Sequence, residues 1–224
     1  MTAMPKNQSI IKSSFLKKGV LIALLIAVAA ALQGCPAIIV GAAGGAALAV
    51  HDRRDSDTIL ADQKIESVAT NKIYQDEKLE KKIHANVTSY NRTVLLTGEV
   101  LAKDLREHTA NLVRNIPGVK RVYNELVVAD LTSFNSRSND SWITSKIKTK
   151  MLNAKDLDST RVKVVTENSV AFLMGMVTDK ESAVAVDIAR NVKGVSRVVK
   201  IFEIIPEPVE PKSAITDKST TGNQ

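Results

Sequence analysis

The chain has 224 residues, of which 44% are apolar but only 4% aromatic, and a net charge of +7 at pH 7. That is enough apolar material for one or two small domains. The charge does not mark a nucleic-acid binder, because Lys6, Lys12, Lys17 and Lys18 stand in an acid-free first 34 residues and the remainder sets 27 basic against 24 acidic residues, whereas such a binder keeps its basic footprint in the folded part. One cysteine excludes an intrachain disulfide, and His51, His84 and His108 show no metal-ligand spacing, so neither a metal nor another cofactor is expected.

The chain opens polar and basic over residues 1–19, runs apolar through "VLIALLIAVAAA" (20–31) and reaches "LQGC" at 32–35. A basic region, a short apolar run and a small residue before the cut describe a secretory signal peptide over 1–34. Cys35 directly after it resembles the lipobox of bacterial lipoproteins, with Gln33 departing from the usual small residue. The resemblance implies cleavage before Cys35, lipidation of its thiol and acylation of the new amine. Pro36 in place of the retention Asp implies the outer membrane of a Gram-negative envelope. Several acyl chains make a stable anchor where one is marginal. The alternative, an uncleaved membrane span, is interrupted by Pro36 and "GAAGGAA" (41–47), which disfavour a helix. Residues 35–56, Ala/Gly-rich first and then running into "HDRRDSD" (51–57), read as a flexible tether.

The body is a repeat. "RNIPGVKRVYNELVV" (114–128) lies in register with "RNVKGVSRVVKIFEI" (190–204), and "VLLTGEV" (94–100) with "AFLMGMV" (171–177). Each copy predicts a helix (58–74; 141–153), an alternating strand (85–90; 161–166), a hairpin turn at "NR" (91–92) or "ENS" (167–169), and a second strand ending at Gly98 or Gly175. A second helix follows (103–115; 180–192), with Thr178 and Glu181 as a capping box and Gly118 and Gly194 as the stops. A third strand closes each copy (119–128; 195–205). The fold class is α+β: two tandem αββαβ domains at 57–130 and 140–206, each a three-stranded mixed sheet covered on one face by two helices. Residues 131–139 read as a polar linker, and 207–224 as a disordered tail.

The first helix of the second copy, "SNDSWITSKIKTKML" (138–152), holds the chain's only tryptophan. Asn139 and Asp140 are the expected caps, and Ile143, Ile147 and Met151 centre one apolar face. Trp142 falls outside that face, beside Lys146 and Thr149, with Lys150 nearby. An amphipathic indole among lysines suits the headgroup level of a bilayer. Packing against the first domain, or against the linker with Phe134, is the other use.

The marks "TGEV…GV…V" and "MGMV…GV…V" resemble those of the BON domain over about 57–205. The resemblance implies a non-enzymatic protein on the inner leaflet of the Gram-negative outer membrane, gathered at division sites and supporting envelope integrity. It implies that the first helix of the second domain binds anionic phospholipid such as phosphatidylglycerol or cardiolipin. That role carries over onto Trp142, Ile143, Ser145, Lys146 and Ile147, with the preceding loop near Ser138 to Ser141; Lys150 joins them on charge. The rival is a scaffold docking an envelope protein through a second exposed apolar patch near Tyr74 or Tyr123. An enzyme is disfavoured, since no GxSxG, P-loop or Rossmann fingerprint occurs.

Overall fold

The computed structural model describes residues 52–131 and 134–207, with the side chains of 134–136 not placed. The expected signal peptide, Cys35, most of the tether and the tail from 208 lie outside the described residues. The elements run α1 (Ser56–Tyr74), β1 (Ile83–Tyr90), β2 (Thr93–Val100), α2 (Lys103–Arg114), β3 (Arg121–Asn124), β4 (Val127–Val128), α3 (Phe134–Leu152), a 3-10 turn (Ser159–Arg161), β5 (Lys163–Glu167), β6 (Val170–Val177), α4 (Asp179–Arg190) and β7 (Arg197–Ile204). In each half an antiparallel hairpin is joined by a parallel third strand, so β2 and β6 are central.

The central strands are buried on both faces, and their period of two assigns the faces. Val94, Leu96 and Val100 point into a core with α1 and α2. Ala171, Leu173 and Val177 do the same with α3 and α4. The alternate residues build a third core between the two sheets: Leu95, Phe172, Met174 and Ile201, with Tyr90 at one end. The domains therefore pack sheet against sheet, with helices on the outer sides. Polar contacts ring this interface. Lys163 Nζ donates to Glu66 Oε1 at 2.7 Å, and Asn91 Nδ2 to Glu203 Oε2 at 2.6 Å. Asn86 Nδ2 donates to Glu167 Oε2 at 2.8 Å. Burial raises the Glu167 pKa; the Asn86 hydrogen bond opposes this, and the charge of Glu99 adds to it.

Both hairpins turn through two residues with positive φ, Asn91 and Arg92 in one and Asn168 and Ser169 in the other, the geometry whose twist suits a two-residue hairpin. Each turn is held by a buried aspartate on the preceding helix. Asp62 accepts the amides of Asn91 and Arg92 at 2.8 and 2.7 Å, and Asp140 those of Asn168 and Ser169 at 2.9 Å each. These bonds explain the first correction. Asp140 is not a helix cap but an interior residue of α3, which begins at Phe134; the expected linker 131–139 is mostly helix.

Three further corrections are local. The second strands run two residues past Gly98 and Gly175. At Gly98 (φ +114) a Cβ would sit 2.0 Å from the His84 carbonyl oxygen, so this glycine marks a close strand approach rather than a strand end. The third strand of domain 1 breaks between β3 and β4, where Leu126 turns into the core and the Arg106 guanidinium donates to the Leu126 and Asn124 carbonyls, each at 2.7 Å. The end of the expected tether is docked. Arg53 donates to Met176 O at 2.8 Å and to Glu181 Oε2 at 2.6 Å. Arg54 pairs with Asp52 and Asp62 and lies 3.9 Å over the Tyr90 ring. The Thr178–Glu181 capping box forms as expected.

Candidate membrane-contact face

Helix α3 has two faces of opposite character. Ile143 and Ile147 are fully buried and Met151 nearly so; all three belong to the core of domain 2. Ile143 packs so closely that a Cβ at position 194 would lie 3.0 Å from its Cδ1, which is why the chain turns there through Gly194. Thr144 Oγ1 bonds Thr166 Oγ1 at 2.8 Å, and Asp140 holds the β5–β6 turn. Hydrogen bonds and apolar packing thus fix both the position and the rotation of the helix.

The other face is turned outward. Trp142 is 54% exposed and belongs to none of the three cores. The Lys146 ammonium stands 3.1 Å above the indole ring, a cation–π contact. Ser145 and Lys150 are exposed, and Lys150 Nζ reaches Asn191 O at 3.4 Å. Leu152, which sequence reasoning missed, is the most exposed large apolar side chain described, at 69%. Its signal was available: it stands one position, or 100°, beyond buried Met151. Residues 141–155 hold four lysines and no acid, so the outward surface is basic.

A polar stripe crosses this face, and its donors are used within the helix. Ser141 Oγ donates to Arg137 O, Ser145 Oγ to Ser141 O, Thr149 Oγ1 to Ser145 O and Asn153 Nδ2 to Thr149 O, all at 2.9–3.0 Å. Side-chain donors already satisfied by the backbone cost less to bring into a poorly hydrated layer.

The expected site therefore divides. Trp142, Ser145, Lys146 and Lys150 share the accessible side. Ile143 and Ile147 are corrected: they lie in the core and touch nothing outside while the domain is folded. The expected loop near Ser138 to Ser141 is not a loop: it lies inside α3, whose first turn begins at Phe134. The indole is not packed into the interdomain core either, since the domains meet through their sheets. Of the rival patch, Tyr74 is 53% exposed, with its hydroxyl bonded to the Ala85 backbone, while Tyr123 packs against the inter-sheet core. No helix among the described residues is long and apolar enough to cross a membrane.

The BON domain family model matches residues 61–130 and 139–206. The chain is 36% identical over 184 residues to the outer membrane lipoprotein DolP of Haemophilus influenzae, covering 82% of this chain and 95% of that one. It is 34% identical over 154 residues to the 21 kDa hemolysin of Actinobacillus pleuropneumoniae, covering 69% and 79%. A solved structure of CdsD, a structural protein of the type III secretion system of Chlamydia trachomatis, aligns over 66% of this chain and 93% of its own at 13% identity, with a TM-score of 0.28.

Proposed function

The chain belongs to the BON-domain family, with two such domains in tandem, and from that premise we propose that it is a non-enzymatic lipoprotein of the outer membrane that contacts anionic phospholipid through the outward face of α3. Acyl chains on Cys35 hold it to the inner leaflet. Trp142 and Leu152 enter the headgroup level, and Lys146 and Lys150 meet phosphatidylglycerol or cardiolipin headgroups. Each lysine near an anionic surface adds roughly 1 kcal/mol. Because the anchor already confines the protein to the surface, a weak contact suffices. The contact supports envelope integrity, with enrichment at division sites.

The observation that carries this reading is the indole of Trp142, more than half exposed beneath the Lys146 ammonium, on a helix whose opposite face is locked into the core. The similarity to an outer membrane lipoprotein over nearly all of that protein's length supports the location. The test is Trp142 fluorescence in a chain from residue 36 onward, titrated with vesicles with and without phosphatidylglycerol or cardiolipin. A blue shift confined to anionic vesicles and weakened by salt is expected. No shift with any vesicle sinks the lipid contact and moves forward the scaffold reading, in whose favour stand Leu60 and Tyr74, both exposed on α1.

A further inference from the structure

At one end of the inter-sheet core, Tyr90 of domain 1 packs against domain 2, its hydroxyl 3.5 Å from Asp52 Oδ1. The repeat places Glu167 at the position of Tyr90, since each residue directly precedes its hairpin turn, and Glu99 at the position of Met176, since each directly follows the strand glycine. The opposite end of the same core therefore brings two carboxylates together where its twin brings a phenol and a thioether. Glu99 is 1% exposed and Glu167 7%. Burying two like charges side by side costs free energy unless a cation joins them. Among the described residues no lysine or arginine pairs with Glu167. The third group at this end is an imidazole, His84, directly across the β1–β2 ladder from Glu99, with Nδ1 3.1 Å from Glu99 Oε2.

We propose that His84, Glu99 and Glu167 form a site for a divalent transition-metal cation, of the zinc type, that fastens the two domains to each other. One ligand atom from each lies within 4.8 Å of the others, so small side-chain movements bring all three to bonding distance of a common ion. The set of one nitrogen and two carboxylate oxygens suits zinc; calcium and magnesium prefer larger, all-oxygen shells, and copper(I) prefers sulfur. Outer partners are already in place. Asn168 Nδ2 donates to Glu99 Oε1 and Asn86 Nδ2 to Glu167 Oε2, both at 2.8 Å, and each asparagine sits in the same domain as one acid and bonds the acid of the other. Such amides orient ligating carboxylates. His84 keeps 21% of its side chain exposed, which leaves an entry path and a position for a water ligand. The ligands come from three strands of two domains, so no local spacing in the sequence announces them.

The test uses the full chain, stripped of metal with EDTA, and zinc chloride as the probe. Calorimetry and thermal unfolding are read on the wild type, Glu167→Gln, His84→Gln and His108→Gln. The wild type is expected to bind a single equivalent at this site and to melt at higher temperature when loaded, with no such response to magnesium. Glu167→Gln removes the like-charge conflict, so the metal-free variant melts above the metal-free wild type while its zinc response disappears. His84→Gln loses binding as well. His108→Gln, altered at the other histidine–carboxylate pair among the described residues (2.9 Å to Asp76), keeps it. Asn86→Ala weakens binding by about ten- to a hundredfold. Absence of zinc binding, or binding that survives Glu167→Gln and His84→Gln, overturns the proposal. So does a metal-free protein whose melting temperature rises on mild acidification while zinc has no effect, because a proton would then be what joins the carboxylates.

Discussion

Trp142 and Ile143 are neighbours in sequence with opposite assignments, and replacing each by alanine separates binding from folding. Trp142 is 54% exposed; of an indole side chain's roughly 200–250 Å², about 120 Å² then faces outward. Complete removal of that area from water contributes about 3 kcal/mol at ~25 cal/mol per Å². Immersion of about half of it, as at headgroup depth, gives about 1.5 kcal/mol, roughly tenfold in affinity. Trp142→Ala is therefore expected to weaken binding to phosphatidylglycerol vesicles about tenfold while changing stability by no more than about 1 kcal/mol, since the indole belongs to no core. Ile143→Ala opens a cavity in the core of domain 2 and is expected to cost about 2–5 kcal/mol, with vesicle affinity retained wherever the variant is folded. The assays are vesicle flotation, which does not need the tryptophan signal, and urea unfolding by circular dichroism. Equal vesicle affinity in Trp142→Ala and wild type would refute the argument. So would a loss of affinity in folded Ile143→Ala as large as that in Trp142→Ala.

Three further comparisons test the fold that positions this face. Gly98→Ala drives a methyl onto the His84 carbonyl and is expected to lower the melting temperature far more than Gly118→Ala, where the nearest atom to a new Cβ is 3.9 Å away and only the left-handed backbone, about 1–2 kcal/mol, opposes the change; equal losses would contradict the close approach. Asp140→Ala leaves two turn amides without their acceptor, at about 1–3 kcal/mol each. Faster hydrogen exchange at Asn168 and Ser169 is the expected signature, and unchanged protection there would show that the aspartate does not hold the turn. For Glu181, burial opposes ionisation, but hydrogen bonds from Arg53, Thr178 and Arg161 outweigh it and hold the pKa below the ordinary 4.5. With its folded value depressed, the residue stabilises the protein above the unfolded value and loses that contribution as pH falls from about 4.5 through the folded value. Glu181→Gln should therefore be less stable near neutrality and show a shallower acid slope, as read from melting temperature against pH.

The helical period of α3 was legible, and it placed Ile143 and Ile147 in the core, where the structure finds them. The family resemblance had put the same two residues against lipid, and on that point the period was the better guide. The extent of the helix was not legible. "FNSRSND" is rich in poor helix formers, and it is helical because Asp140 must sit inside α3 to reach the hairpin turn, a tertiary demand that overrides local preference. The repeat and the order αββαβ could be read because glycines, turns and strand patterns recur in register. The inter-sheet core was hinted at by "VLLTGEV" and "AFLMGMV", runs too uniformly apolar for strands with one wet face. Neither that run pattern nor any spacing links His84 and Glu99 to Glu167, since only the closing of one domain on the other brings them together.

Under the proposed anchoring, the docked Arg53 and Arg54 set a load path. Force along the segment leading from Cys35 enters the folded body at two adjacent guanidinium groups, one bonded to domain 2 through Glu181 and Met176, the other to domain 1 through Asp62. Tension is shared by both domains before it reaches the first turn of α1, which Asp55 caps. The arrangement works as a strain relief does on a cable: the protein can be pulled against the membrane, or dragged along it, without α1 being peeled open from its first turn.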